Sequence, residues 1–249
     1  MNTGKLYVIG VGPGDPELMT LKAVRILREV SCICVPKGRE EGSSLALSIA
    51  KGAVSLEGKE IIEAHFPMKK TKTGTEAKDL NNATSELCKL DTKWHETVEN
   101  VLSRLSKGTD VAFITIGDPS IYSTFFYLYD RLLELNPELT IEMVPGVSSI
   151  NAAASRAGIS LGLADEKIAI LPATYTDNLR EILEKFDTVV LMKVHRVFDN
   201  VITILDSMGL LGNAIYVSKA GMEDERIFRN ITDVGKDDLN YFSMVVVRK

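Results

Sequence analysis

The chain has 249 residues, 45% hydrophobic and 25% charged, and 29 Lys+Arg against 34 Asp+Glu give a formal net charge of −5. These ordinary globular values exclude disordered and collagen-like classes, and the acidic balance argues against general nucleic-acid binding. Such a length predicts two domains of roughly 100–150 residues, or one large α/β unit, with a core that needs no disulfide or metal staple. No apolar run approaches the roughly 20 residues of a bilayer span, and the polar start Met1-Asn2-Thr3-Gly4-Lys5 does not read as a signal peptide, so no membrane partner is expected. Three cysteines, an odd number, predict a reduced, cytoplasmic protein.

In chain order, the first predicted strand is Leu6–Ile9. It runs into Gly10-Val11-Gly12-Pro13-Gly14-Asp15. The GxGxG spacing is not the GxGxxG of a dinucleotide site: Pro13 lacks an N–H donor, and Asp15 would repel a pyrophosphate. The loop is then either a tight turn with glycines at positive φ or a close backbone approach to an uncharged or cationic ligand. Thr20 caps a predicted helix with the stripe Leu21, Val24, Leu27. Strands at Cys32–Val35 and Glu60–Ala64 follow, with Cys32 and Cys34 on one face as small buried hydrophobes. Residues 67–80 read as a mobile basic loop carrying Lys69, Lys70, Lys72 and Lys78, ahead of a helix around Trp94–Ser106.

Strand Val111–Ile116 leads into Gly117-Asp118-Pro119-Ser120-Ile121-Tyr122-Ser123-Thr124. Here Gly117 permits close approach, Asp118 is either a helix cap or a site acceptor, and Pro119 can open the next helix. The spacing of Tyr122, Phe125, Phe126, Tyr129, Leu132 and Leu133 reads as a core-packing stripe. Strand Thr140–Val144 ends at Pro145-Gly146-Val147-Ser148-Ser149-Ile150. Helix-sized segments between these five strands predict βαβ crossovers and a parallel sheet, so three glycine-bearing turns would share one sheet edge. Further strands are predicted at Ile168–Leu171, Thr188–Met192, Ala214–Ser218, Arg226–Ile231 and Phe242–Val247. The last three lie closer together, which predicts a mixed or antiparallel sheet. The expected division is an N-terminal α/β domain, 1–147, and a C-terminal α/β domain, 148–249. His65, His95 and His195 are scattered, there is no CxxC, and no protein-bound metal is expected.

GVGPGDPELMTLKA, GDPSIYST, PGVSSI and the strand end Val190-Leu191-Met192-Lys193, in this order, resemble the tetrapyrrole methylase family, the S-adenosylmethionine (SAM) methyltransferases of cobalamin and sirohaem synthesis. The resemblance implies two α/β domains with a SAM cleft between them, in a homodimer. It implies cofactor-binding roles for Pro13, Ile116, Gly117, Asp118, Ile121, Ser148, Ser149, Met192 and Ala220, the last departing from the family's more usual Gly. GDPSIYST, PGVSSI, and Phe66-Pro67-Met68 with Trp94 downstream resemble the branch that methylates carbon 20 of precorrin-2 or cobalt-factor II. A tetrapyrrole carries a fringe of carboxylates, which gives Lys69, Lys70 and Lys72 a substrate-facing role against the plainer reading of a solvated loop. Tyr122 and Asp118 are candidates for a proton acceptor by proximity alone, and no catalytic residue is assigned.

Overall fold

The computed structural model describes residues 3–37, 44–65, 80–174 and 178–249, and the chain divides into two compact units, Met1–Val147 and Ser148–Lys249. In the first unit, strands β1 (Leu6–Gly10), β2 (Cys32–Lys37), β3 (Glu60–His65), β4 (Val111–Thr115) and β5 (Ile141–Val144) form one sheet in the order β3-β2-β4-β1-β5. Every pairing is parallel. Helices α1 (Leu21–Glu29), α2 (Leu45–Ala53), α3 (Leu80–Leu105) and α4 (Phe126–Leu135) lie between the strands in sequence, as parallel neighbours require.

Strand alternation sorts the apolar residues onto two faces. Leu6, Val8, Cys32, Cys34 and Phe113 pack with Val98, Val101 and Leu105 of α3 and Leu128 and Leu132 of α4. Ile9, Ile33, Val35, Ala112 and Ile114 pack with Ala23, Ile26 and Leu27 of α1 and Ala46, Ile49 and Ala50 of α2. Cys32 and Cys34 are buried free thiols, and burial pushes both thiol pKa values up, that of Cys32 to about 11. They act as small hydrophobes.

The helices correct several expectations. Thr20 does cap α1, accepting from the Ala23 amide at 3.2 Å, but Leu21 is 90% exposed. The buried set is Ala23, Ile26, Leu27 and Val30, an i, i+3, i+4, i+7 stripe that fits the helical period better than Leu21, Val24, Leu27. The helix expected around Trp94–Ser106 is α3, which begins at Leu80. Pro119 does not open a helix: residues 118–125 form turns, Tyr122 takes a left-handed φ of 54°, and α4 starts at Phe126. The helical phase is therefore set by Phe125, Leu128 and Leu132, all buried, while Tyr122, Phe126 and Tyr127 are exposed. The core reading of the aromatic stripe fails for Tyr122 and Phe126.

The second unit has strands β6 (Ile168–Pro172), β7 (Thr188–Met192), β8 (Ala214–Ser218), β9 (Arg226–Phe228) and β10 (Ser243–Arg248), in the order β6-β7-β10-β8-β9. β6 and β7 are parallel; β7 with β10, β10 with β8, and β8 with β9 are antiparallel. This is the mixed sheet that the closer strand spacing predicts. One face is covered by helices α6 (Leu179–Lys185) and α7 (Phe198–Ser207), through Leu179, Leu183, Val201 and Leu205 against Val189, Leu191, Tyr216 and Val245. Helix α5 (Ser149–Ala157) packs against β8 and buries Ala152, Ala153 and Ala157, small side chains that let helix and sheet approach closely. β9 stops at Phe228 rather than Ile231, because the Asn230 side chain accepts from the Thr232 amide and starts a 3₁₀ turn over Ile231–Asp233. Among the described residues no helix is long and apolar enough to cross a membrane.

Glu142 on the edge strand β5 pairs with both Lys22 and Lys5, and hydrogen bonds from these two lysines pull its pKa from 4.5 down to about 2. A carboxylate depressed on folding stabilises the native state above its unfolded pKa, and that contribution disappears as pH falls through the folded one. Glu142→Gln is therefore expected to lower the urea midpoint at neutral pH, with the gap to the native chain narrowing from about pH 4.5 towards pH 2. A gap that stays constant over that window would show that the ion pairs contribute nothing.

Candidate functional site

The loops after β1, β4 and β5 carry the three glycine-bearing motifs, and these strands are immediate neighbours in the order β4-β1-β5. Because the strands are parallel, all three loops emerge at the same C-terminal edge. β2 and β3 lie beyond β4 and β5 lies beyond β1, and a reversal of that kind opens a crevice at the sheet edge.

The backbones meet directly there. The Gly12 N–H donates to the Gly117 carbonyl at 3.3 Å, and the Gly117 N–H donates to the Gly12 carbonyl at 2.7 Å. A Cβ on Gly10 would stand 2.5 Å from the Gly117 carbonyl oxygen and 2.8 Å from the Gly146 nitrogen. A Cβ on Gly146 would stand 2.3 Å from that same oxygen. The close approach expected of these glycines is thus made to other backbone. Gly12 also has the positive φ of a tight turn, 79°.

Asp118 holds this junction. Its Oδ2 accepts from the Gly146 N–H at 2.9 Å, and its Oδ1 accepts from the Ser120 N–H at 2.8 Å and from the Ser120 hydroxyl. Burial alone would raise the Asp118 pKa; the hydrogen bonds from Ser120 and Gly146 outweigh it and hold the carboxyl below its ordinary value. The helix-cap reading of Asp118 is overturned, because α4 begins eight residues later and Asp118 bonds a turn and a neighbouring loop. Pro13 is buried just after the Gly12–Gly117 pair, Ile116 and Ile121 are half-buried, and Tyr122 is exposed. Partial burial raises the Tyr122 pKa above its ordinary value.

The remaining candidates lie in the second unit. Ser148 caps α5, its hydroxyl accepting from the Ile150 amide at 3.1 Å, and Ser149 is the first residue of that helix. Met192 ends β7, where its carbonyl accepts from the Ala173 amide at 2.7 Å. Ala220 is buried two residues beyond β8. β7 and β8 are both antiparallel to β10, with Met192 opposite Met244 and Ser218 opposite Ser243. Met192 and Ala220 therefore flank the start of β10 at one sheet edge.

Two residues at this edge were not found from the sequence. Lys193 and Lys219 follow β7 and β8 with φ of 60° and 53°, and their amides donate to the Ser243 carbonyl at 2.9 Å and the Phe242 carbonyl at 2.7 Å. Nothing in a lysine announces a left-handed backbone, so this pairing had no sequence signal. Beside it, the Lys193 ammonium lies 5.6 Å from the Tyr241 ring and His195 meets the same ring edge-on at 5.9 Å. Burial and the Arg196 charge lower the His195 pKa. Lys69, Lys70 and Lys72 lie outside the described residues.

In unit one the site thus offers a neutral phenol, apolar side chains and a carboxylate already committed to three donors. That set suits binding and alignment better than acid–base work. Among the described residues no group of three His, Cys, Asp or Glu is arranged to hold a metal.

The family model for Tetrapyrrole (Corrin/Porphyrin) Methylases matches residues 5–234. The cobalt-precorrin-2 C(20)-methyltransferase of Salmonella typhimurium is 34% identical over 248 residues, 99% of this chain and 97% of that protein. Among solved structures, a cobalt precorrin-4 methyltransferase superposes with a TM-score of 0.71 at 22% identity, covering 98% of this chain and 94% of the other. The uroporphyrin-III C-methyl transferase of Thermus thermophilus, complexed with S-adenosylhomocysteine, gives 0.64 at 19% identity, covering 99% and 98%. These two structures carry the fold.

Two substitutions test the junction. Gly146→Ala is expected to cost about 3 kcal/mol or more, since the new methyl meets rigid backbone, whereas Gly212→Ala, with nothing within 4 Å, is expected to be nearly neutral. Equal urea midpoints would remove the close-approach argument. Asp118→Asn turns an amide NH₂ towards one of its N–H donors, and partial exposure limits the expected loss to about 1 kcal/mol. A thermal midpoint unchanged from wild type would show that the carboxylate does not hold the loops together.

Proposed function

Because the chain belongs to the tetrapyrrole methylase family, we propose that it transfers a methyl group from SAM to carbon 20 of precorrin-2 or of its cobalt complex in cobalamin synthesis. The observation that carries this reading is the relative from Salmonella typhimurium, alike across nearly the whole of both chains and named for that reaction on the cobalt complex. When bound, SAM supplies a methyl group already activated by its sulfonium: the methyl–sulfur bond breaks with its electron pair left on sulfur, a carbon–carbon bond forms at carbon 20, and the proton on that carbon is released.

The residues present fit such a ligand. The amides of Gly12 and Gly117 are bonded to each other's carbonyls, so these two do not serve as the converging N–H donors of a phosphate cradle, and around them stand the buried Pro13, the half-buried Ile116 and Ile121, and the exposed Tyr122. On this reading these residues, with Gly117, bind the donor from the first unit, and Asp118 positions their loop. Ser148, Ser149, Met192 and Ala220 bind it from the second. The work of the chain is alignment, and holding two reactants in attack geometry accounts for several kcal/mol of barrier lowering. The substrate's carboxylates call for positive charge, which Lys69, Lys70 and Lys72 would supply. The proposal includes a cytoplasmic homodimer without a resident metal, since the sulfonium needs no Lewis acid.

The test is an anaerobic assay with SAM, using precorrin-2 and cobalt-factor II in parallel, with the product analysed by mass and carbon NMR. One added methyl at carbon 20 is expected, and turnover of metal-free precorrin-2 is expected to survive dialysis against a chelator. Methylation at another carbon would assign the chain to a different branch of the family. Loss of activity that zinc or magnesium restores would overturn the metal-free mechanism.

A further inference from the structure

From Pro119 to Tyr129 no residue carries a charge, although the stretch follows Asp118 directly and only part of it is buried. Tyr122 is 51%, Phe126 48% and Tyr127 50% exposed. Exposed aromatic groups of this density mark a binding surface more often than a free one. The rings are also braced. Tyr127 stacks on Trp94 of α3, with ring centroids 5.4 Å apart and planes 19° apart. Phe126 leans on the buried Phe125 at 5.9 Å and on Tyr129 at 5.7 Å.

Their height on the sheet is fixed by the helix. Trp94 precedes the end of α3 by roughly 16 Å of helix, about the rise of the five-residue strand β4 that follows. Trp94 and the head of α4 therefore stand level with the C-terminal edge where the three loops emerge. Tyr122, at the near end of this run, holds a left-handed φ of 54°. A non-glycine residue keeps that conformation only where its surroundings impose it.

We propose that Phe126 and Tyr127, the latter backed by Trp94, form an aromatic ledge that binds the flat apolar face of the tetrapyrrole. The ledge rests on the methyl-transfer reading above. A meso carbon attacks through the p orbital normal to the macrocycle, so the donor stands over one face and the opposite face needs a support. Neutral rings suit that face through offset stacking, and the absence of charge leaves the carboxylate fringe to be met elsewhere. The ledge is continuous with the loop that carries the cofactor residues, only a few residues from Ile121.

Uroporphyrin, a flat and stable tetrapyrrole with a carboxylate fringe, is the probe, and its quenching of Trp94, the chain's single tryptophan, reports binding without turnover. Phe126→Ser/Tyr127→Ser is expected to weaken uroporphyrin binding and to raise the KM for precorrin-2 by about tenfold or more, with kcat changed by less than about threefold. S-adenosylhomocysteine affinity by calorimetry should be unchanged. Uroporphyrin affinity equal in the double variant and wild type, or no uroporphyrin binding by wild type, would overturn the ledge. So would a double variant that changes only its sedimentation, which would give this face to a second copy of the chain. A wild type that fails to methylate either tetrapyrrole, while the double variant still loses uroporphyrin binding, would sink the methyl-transfer reading and leave the ledge as a tetrapyrrole-binding surface.

Discussion

At Gly10, Gly117 and Gly146 three loops pass one another backbone to backbone, with no space for a single methyl group between them. Adjacent strands sit about 4.8 Å apart, and loops leaving β4, β1 and β5 in the same direction would normally diverge to make room for side chains. Here the glycines let them converge, and the Asp118 carboxylate ties the second loop to the third. The geometry of the first unit's candidate site follows from this contact. It uses up the amides of Gly12 and Gly117 on each other, which is why a GxGxG loop after a parallel strand does not become a phosphate cradle. It also buries Pro13 and leaves Ile121 and Tyr122 at the end of a tethered loop.

Strain recurs at the strand ends. Among the described residues four non-glycine residues have positive φ; of these, Tyr122 lies in the loop after β4, and Lys193 and Lys219 follow β7 and β8 directly. Each costs of order 1 kcal/mol or more. Lys193 and Lys219 donate to consecutive carbonyls at the start of β10, so the turns after β7 and β8 are fixed by the strand between them. This brings Met192 and Ala220 to one edge although they are far apart in sequence.

Much of the fold was legible because it rests on period. Runs such as Leu6–Ile9, Cys32–Val35 and Thr188–Met192 are short, β-branched and separated by helix-length segments, and their pairing followed from that spacing. The misreadings have a common origin in phase. Tyr122, Phe125, Phe126 and Tyr129 keep helical spacing on paper, but Asp118 bonds a turn at Ser120 and the Ser123 hydroxyl accepts from the Phe125 amide, so the helix starts later and its buried face is set by Phe125, Leu128 and Leu132. Leu21 failed in the same way, since Ala23 and Ile26 offered a better stripe with smaller side chains. At the site, the motifs showed which loops matter, because glycine, proline and aspartate after a strand are chemically unusual. They did not show what those residues do. A side chain that bonds a loop twenty-eight positions away, as Asp118 bonds Gly146, leaves no local signature.

The chemistry explains why such a site needs few reactive groups. A methyl sulfonium is electrophilic without help, and an electron-rich macrocycle is nucleophilic without a base to uncover it, so the barrier that remains is largely one of orientation and exclusion of water. Rigidity is then the property the loops must supply. A carboxylate free to face the cationic donor would stabilise the ground state as much as the transition state and add little to the rate. Asp118 instead has its oxygens occupied by Gly146 and Ser120. On the ledge proposed above, the same logic applies to substrate: in a chain of net charge −5, the uncharged run from Pro119 to Tyr129 offers a polyanionic ring an apolar face without like-charge repulsion.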